Sequence, residues 1–167
     1  MNDKLSIIFL DFQGVMSSAE HPGTVNDYHV GYLNQLIEST NAKIVVTSSH
    51  RVSGMKSVQK DLKNSGCIGE VIGITPHKPG RDRGFEIELW LRGAQKYNSL
   101  KSIEIKDSLF NPNSKVSFED IGNYIILDDD NIEGHDGHFI KTNFVTGLNA
   151  EVAMEAYYML KLTVSHD

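Results

Sequence analysis

Short apolar runs that end on polar residues alternate along this chain with stretches of helical periodicity. Ile7-Ile8-Phe9-Leu10 is too short for a typical helix and rich in β-branched and aromatic residues, so it reads as a strand buried on both faces, stopping at Asp11. Asn26 or Asp27 then caps a helix to about Ser39, with Val30, Leu33, Leu36 and Ile37 as its apolar stripe. Lys43-Ile44-Val45-Val46-Thr47 is a second strand, running out into Ser48, Ser49, His50 and Arg51. A helix over Val52–Asn64, closed by Gly66, and a weaker strand over Glu70–Ile74 follow. The loop from Thr75 to Gly84, with two prolines, two glycines and three cations, leads into a helix over Phe85–Tyr97. Ser99–Asp120 is less regular, a hairpin-like excursion around Asn111-Pro112-Asn113. Tyr124-Ile125-Ile126-Leu127 is the strongest strand after the first and ends in Asp128-Asp129-Asp130; His138–Lys141 is the last, and Asn149 caps a closing helix.

Strands that alternate with helices and are apolar throughout predict an α/β fold: a Rossmann-like three-layer sandwich, its mainly parallel sheet covered by helices on both faces. In such sheets the ligand site lies beyond the carboxyl ends of the strands, so Asp11, Thr47 and Asp128 are expected along one edge. A chain of 167 residues is a one-domain length, and residues 1–167 are expected to form one domain. No apolar run nears the length of a membrane span and no leader peptide is evident, so the expected compartment is the cytoplasm, with no membrane partner. Cys67 is the single cysteine and reads as a small buried hydrophobe. The net charge of −6 argues against a broad nucleic-acid surface, which needs clustered cations, but not against binding one phosphate.

Taken alone, Asp11 has two readings: a solvated residue where a strand leaves the sheet, or a carboxylate held there for a purpose. Three polar strand ends favour the second. Asp11 and one or more carboxylates of Asp128–Asp130 would make a hard oxygen site suited to Mg²⁺. Thr47 or Ser48 could donate to a phosphate oxygen, a cation from the Lys78–Arg83 loop could neutralise the remaining charge, and Gly14 would let the backbone approach closely. Asp11 could then attack phosphorus.

The stretches FLDFQG, IVVTSSHR, RGFEIELWL, YIILDDD and FIKTNFVTGLN together resemble the haloacid dehalogenase-like (HAD) superfamily, in particular the small HAD domains found alone or in RNA-repair proteins. The resemblance runs from about Leu5 to the start of the last helix and leaves out Ser99–Asp120. It implies Asp11 as nucleophile and Mg²⁺ ligand, Thr47 as the phosphate donor of the second motif, and Asp128 with Asp129 as the acidic metal motif. For the cation of the third motif it points first to Arg83 and second to Lys78. HAD phosphatases carry a second Asp two residues after the nucleophile, as acid and then base; here that position is Gln13. An amide cannot move a proton, although its backbone carbonyl could still bind the metal. Three outcomes follow: a slow phosphohydrolase, HAD chemistry that dispenses with the second Asp, or a scaffold that binds a phosphorylated ligand without turnover. No full cap domain fits between the motifs. An open site favours an accessible phosphate on a nucleotide, a nucleic-acid end or a phosphoprotein.

Other signals are weaker. His135-Asp136-Gly137-His138 reads as a polar turn rather than a transition-metal site, lacking further ligands at suitable spacing. His50 and Arg51 are either phosphate contacts or surface residues opening a helix. Trp90 reads as core rather than a base-stacking platform, Tyr157 and Tyr158 as packing residues, and Lys141 and Asn143 as candidates for the site edge.

Overall fold

Five strands, β1 (Leu5–Leu10), β2 (Lys43–Val46), β3 (Val71–Ile74), β4 (Ile121–Asp128) and β5 (Phe139–Lys141), form one sheet ordered β3-β2-β1-β4-β5 with every pairing parallel. The computed structural model describes residues 4–77, 80, 82–96 and 121–162. The expected excursion at Ser99–Asp120 and the candidate Lys78 lie outside the described residues.

Side chains alternate across the pleat, so each central strand serves two cores. Ile8, Leu10, Ile44, Val46, Ile125 and Leu127 pack with the apolar stripes of α1 (Asp27–Thr40), α2 (Met55–Asn64) and α4 (Ala150–Leu162). Ile7, Phe9, Val45 and Ile126 pack on the other face with Ile87, Trp90 and Leu91 of α3 (Arg83–Lys96). Helices therefore cover both faces, as the apolar strands predict. Trp90 is buried and meets Phe9 edge to face at 5.6 Å, a core residue as expected.

Caps fix the helix starts. The Asn26 side chain accepts from the Tyr28 amide, and Asn149 from the Val152 amide at 3.0 Å. The helix expected from Val52 is instead a 3-10 turn, Ser49–Ser53, and then α2; Gly54, at φ 97°, separates them. The helix expected from Phe85 begins at Arg83, because Asp82 accepts the Phe85 amide at 2.7 Å. Cys67 is only half-buried, resting against the core, and Tyr158 is exposed on α4 where Tyr157 packs. Among the described residues no helix is long and apolar enough to cross a membrane.

β1 pairs with β2 on one side and β4 on the other, and the crossovers leaving its two sides diverge there. The crevice beyond the carboxyl ends of β1 and β4 is thus the topological switch point, where parallel sheets bind ligands.

Candidate functional site

Each strand hands over to a buried polar residue at its carboxyl end: Thr75 after β3, Thr47 after β2, Asp11 after β1, Asp128 closing β4 and Thr142 after β5, none more than 4 % exposed. The sheet's backbone bonding continues through this row, from the amides of Thr75 to Val46, Thr47 to Leu10, Asp11 to Leu127 and Thr142 to Asp128. The row therefore lies in sheet order, with the two carboxylates at its centre. The hydroxyls of Thr47 and Thr75 have no hydrogen-bond partner among the described residues. A buried hydroxyl left unpaired costs about 1–3 kcal/mol, a cost that an oxygen-rich ligand at this edge would relieve.

Asp11, Asp128 and Asp129 bring oxygens within 4.8 Å of one another. From the first turn of α3, Nη1 of Arg83 donates to Asp128 Oδ2 at 2.6 Å and lies 3.0 Å from Asp11 Oδ2. The remaining oxygens are held by backbone: Asp11 Oδ1 accepts from the Phe12 amide at 2.8 Å and Asp128 Oδ1 from the Asp130 amide at 2.9 Å. Among the described residues one cation, Arg83, serves three acids. Burial, and next the charge of Asp128, push Asp11 up to about 7 against the opposing pull of Arg83. Burial, then Asp128, raises Asp129 as well.

Gly14 sits at φ 81°, a conformation that suits glycine, and a Cβ there would overlap the Asp129 carboxylate. Its carbonyl accepts from the Thr142 hydroxyl at 2.7 Å, tying the turn after β1 to the end of β5.

The family described as the HAD domain in Swiss Army Knife RNA repair proteins matches residues 7–153. The chain belongs to this HAD family. No curated protein and no solved structure matches it. An all-oxygen donor set, three carboxylates sharing one small volume and an orphaned hydroxyl beside them fit the Mg²⁺ that HAD domains commonly use.

Asp11, Thr47, Arg83, Asp128, Asp129 and Gly14 thus converge at one edge of the HAD domain. Gln13 follows on the turn with its side chain exposed. Ser48 is buried, and its Oγ accepts the His50 amide at 3.2 Å, capping the 3-10 turn. Arg51 is neither a phosphate contact nor a surface residue. It is 2 % exposed and donates to the carbonyls of Thr47, Ser48, Thr75 and Pro76, and to Glu86 Oε1 at 3.0 Å. It clamps the ends of β2 and β3 to α3. The polar turn expected at His135–His138 is present, closed by the His138 amide on the His135 carbonyl at 3.0 Å; the His135 ring itself is buried between the Tyr124 hydroxyl and the Gly84 carbonyl, each at 2.8 Å, while His138 stacks on Tyr124. Lys141 reaches Asn131, and the Asn143 side chain caps its own turn at Val145.

Sequence reasoning missed Thr75 and Thr142, although both stand directly after a strand as Thr47 does. It also missed His29, buried on α1. The His29 ring joins the Leu148 carbonyl (2.7 Å) to Ser18 Oγ (2.9 Å), pinning the loop after β1 to the start of α4. Burial lowers the His29 pKa below its ordinary 6.5, against the bond to Leu148. The unfolded chain therefore takes up this proton more readily, and stability is lost as pH falls through about 6.5 and below. The margin of the parent over His29→Gln is expected to shrink between about pH 7 and pH 5 in urea unfolding. A constant margin would show that His29 titrates alike in both states.

Proposed function

We propose that this HAD domain is a Mg²⁺-dependent phosphohydrolase acting through an aspartyl phosphate at Asp11. The observation carrying this reading is the Asp11–Asp128–Asp129 cluster, bridged by Arg83 beside the unpartnered Thr47 hydroxyl. Asp11, Asp128, Asp129 and the Gln13 carbonyl are the groups to hold the metal. When bound, the metal would offset repulsion between phosphate and carboxylates and keep Asp11 ionised. Asp11 attacks phosphorus; Thr47 and Arg83 orient the phosphoryl oxygens, with the Gly14 turn, Ser48 and Lys78 as further contacts. The substrate is an accessible phosphate on a nucleotide, a nucleic-acid end or a phosphoprotein, met in the cytoplasm. The occurrence of the family in RNA repair proteins favours the nucleic-acid end.

Gln13 argues for slow turnover and also supports a second reading: a scaffold that binds a phosphorylated ligand without cleaving it. A panel of phosphate esters with Mg²⁺, run on the parent, Asp11→Asn and Gln13→Asp, separates the two. A phosphohydrolase shows parent activity that Asp11→Asn removes, and Gln13→Asp raises turnover of alkyl phosphates by up to roughly 10²-fold. A silent parent with an active Gln13→Asp variant would instead establish the binder. Silence in both would count against phosphoryl transfer at this site.

A further inference from the structure

If Asp11 attacks phosphorus, the leaving oxygen lies opposite it, since attacking and leaving atoms of a phosphoryl transfer are roughly in line. Asp11 is on the buried floor, so the leaving group faces the open side of the strand edge. Among the described residues two clefts open there. One, of about 420 Å³, is lined by Asp82, Glu86 and Asp130 as well as Arg51 and Arg83, and its His77 stands 3.6 Å from Glu86. Its two arginines are already paired, Arg51 with Glu86 and Arg83 with Asp11 and Asp128, so the charges of Asp82 and Asp130 make it a poor place for oxygen to leave with a growing negative charge.

The other cleft, of about 260 Å³, is lined by Gln13, Ser17, Ser18, Ala19, Pro22, Gly23, His50 and Phe144. His50 is the one titratable side chain among those described here. It is exposed, and its ring nitrogens take no partner among the described residues. Its position is set from two sides: the ring lies against Phe12, between Asp11 and Gln13 in the chain, at 5.9 Å between centroids, and the amide is held by Ser48. The neighbouring Arg51 is turned inward to carbonyls and Glu86. Ser18, also on this cleft, is committed: it donates to His29, whose other ring nitrogen donates to Leu148, and it accepts from the His21 amide.

We propose that His50 supplies part of the proton transfer that Gln13 cannot. The inference rests on the phosphohydrolase reading. As Asp11 bonds to phosphorus and the bond to the ester oxygen breaks, that oxygen takes the imidazolium proton and leaves as the alcohol. The neutral ring then accepts a proton from water as the water oxygen attacks the aspartyl phosphate. Inorganic phosphate leaves, and the Asp11 carboxylate and imidazolium return.

The test compares a nitrophenyl phosphate, whose leaving group departs without a proton, with glycerol phosphate, whose alkoxide needs one, using the full chain with Mg²⁺. His50→Gln is expected to lose roughly 10²-fold in kcat/KM on the alkyl ester while changing by less than about threefold on the nitrophenyl ester. His77→Gln, on the acidic cleft, should leave both rates unchanged, and matched unfolding midpoints confirm that His50→Gln folds. Equal losses on both esters, or none, overturn the assignment of His50 and leave the phosphohydrolase reading intact. A parent that cleaves the nitrophenyl ester alone also overturns it, because a working acid permits both. Activity that survives Asp11→Asn, or none in the parent, removes the phosphohydrolase reading and this inference together.

Discussion

Asp11→Asn is expected to lose more than about 10³-fold in turnover and yet to be more stable than the parent without metal at alkaline pH. The loss follows because an amide nitrogen or oxygen is a poor nucleophile where the carboxylate must form the bond to phosphorus. The gain follows from linkage. The Asp11 pKa stands at about 7 in the folded protein against an ordinary 3.8, so between those values the native state holds a proton that the unfolded chain has released. Stability of the metal-free parent therefore falls as pH rises across that window and stays low above it. Removing the charge at about pH 8 is worth on the order of 2 kcal/mol, or roughly 4–8 °C in the midpoint. Mg²⁺, by binding the ionised cluster, should raise the parent's midpoint more at pH 8 than at pH 5 and should do little for the variant. Thermal melts of both proteins at the two pH values, with and without Mg²⁺, check this. A variant less stable than the parent at pH 8 would show that Arg83 already balances the acids.

The largest effect on stability is expected away from the acids, at Arg51. Its side chain and that of Glu86 are 3 % and 6 % exposed, with 3.0 Å between the charges. Arg51→Met removes one partner and leaves Glu86 buried beside carbonyls that had shared the guanidinium. Breaking a buried pair in this way costs about 3–5 kcal/mol. Urea unfolding should show the cost as a lower midpoint, and Arg51→Met with Glu86→Gln should recover part of it because the buried carboxylate that lost the guanidinium is gone. Because Arg51 holds the Thr47 and Thr75 carbonyls, the variant should also weaken phosphate binding by loosening the row of threonines. A cost below about 1 kcal/mol would mean that the pair is no better than a surface ion pair.

Much of this edge was legible before any coordinates because the signal is local. Ile7 to Leu10 and Tyr124 to Leu127 are apolar at every position, which suits only strands covered on both sides, and each stops at an acid. Helix caps at Asn26 and Asn149 depend on one side chain and the next turn, and both were readable. Boundaries moved where a backbone preference acted unseen: Gly54 split the expected second helix, and Asp82 started the third earlier than its apolar stripe suggested. The roles of Arg51, His29 and His135 were not readable. Nothing in the local pattern distinguishes a surface cation from one whose donors are spent on backbone carbonyls at the ends of two strands and on a buried carboxylate.

The sequence by itself determined the kind of fold, the alternation of buried strands with amphipathic helices, and which residue types stand where strands end, because those depend on periodicity over a few neighbours. Only the tertiary structure decided which ends lie side by side. The order β3-β2-β1-β4-β5 puts Asp11 next to Asp128 across more than a hundred residues of chain, lets Arg83 reach both, and leaves the Thr47 and Thr75 hydroxyls without partners among the described residues. Strand order comes from long-range packing of two cores, and a carboxylate's pKa, a hydroxyl's missing partner and a histidine's neighbours all depend on what that packing brings near and how much water it excludes.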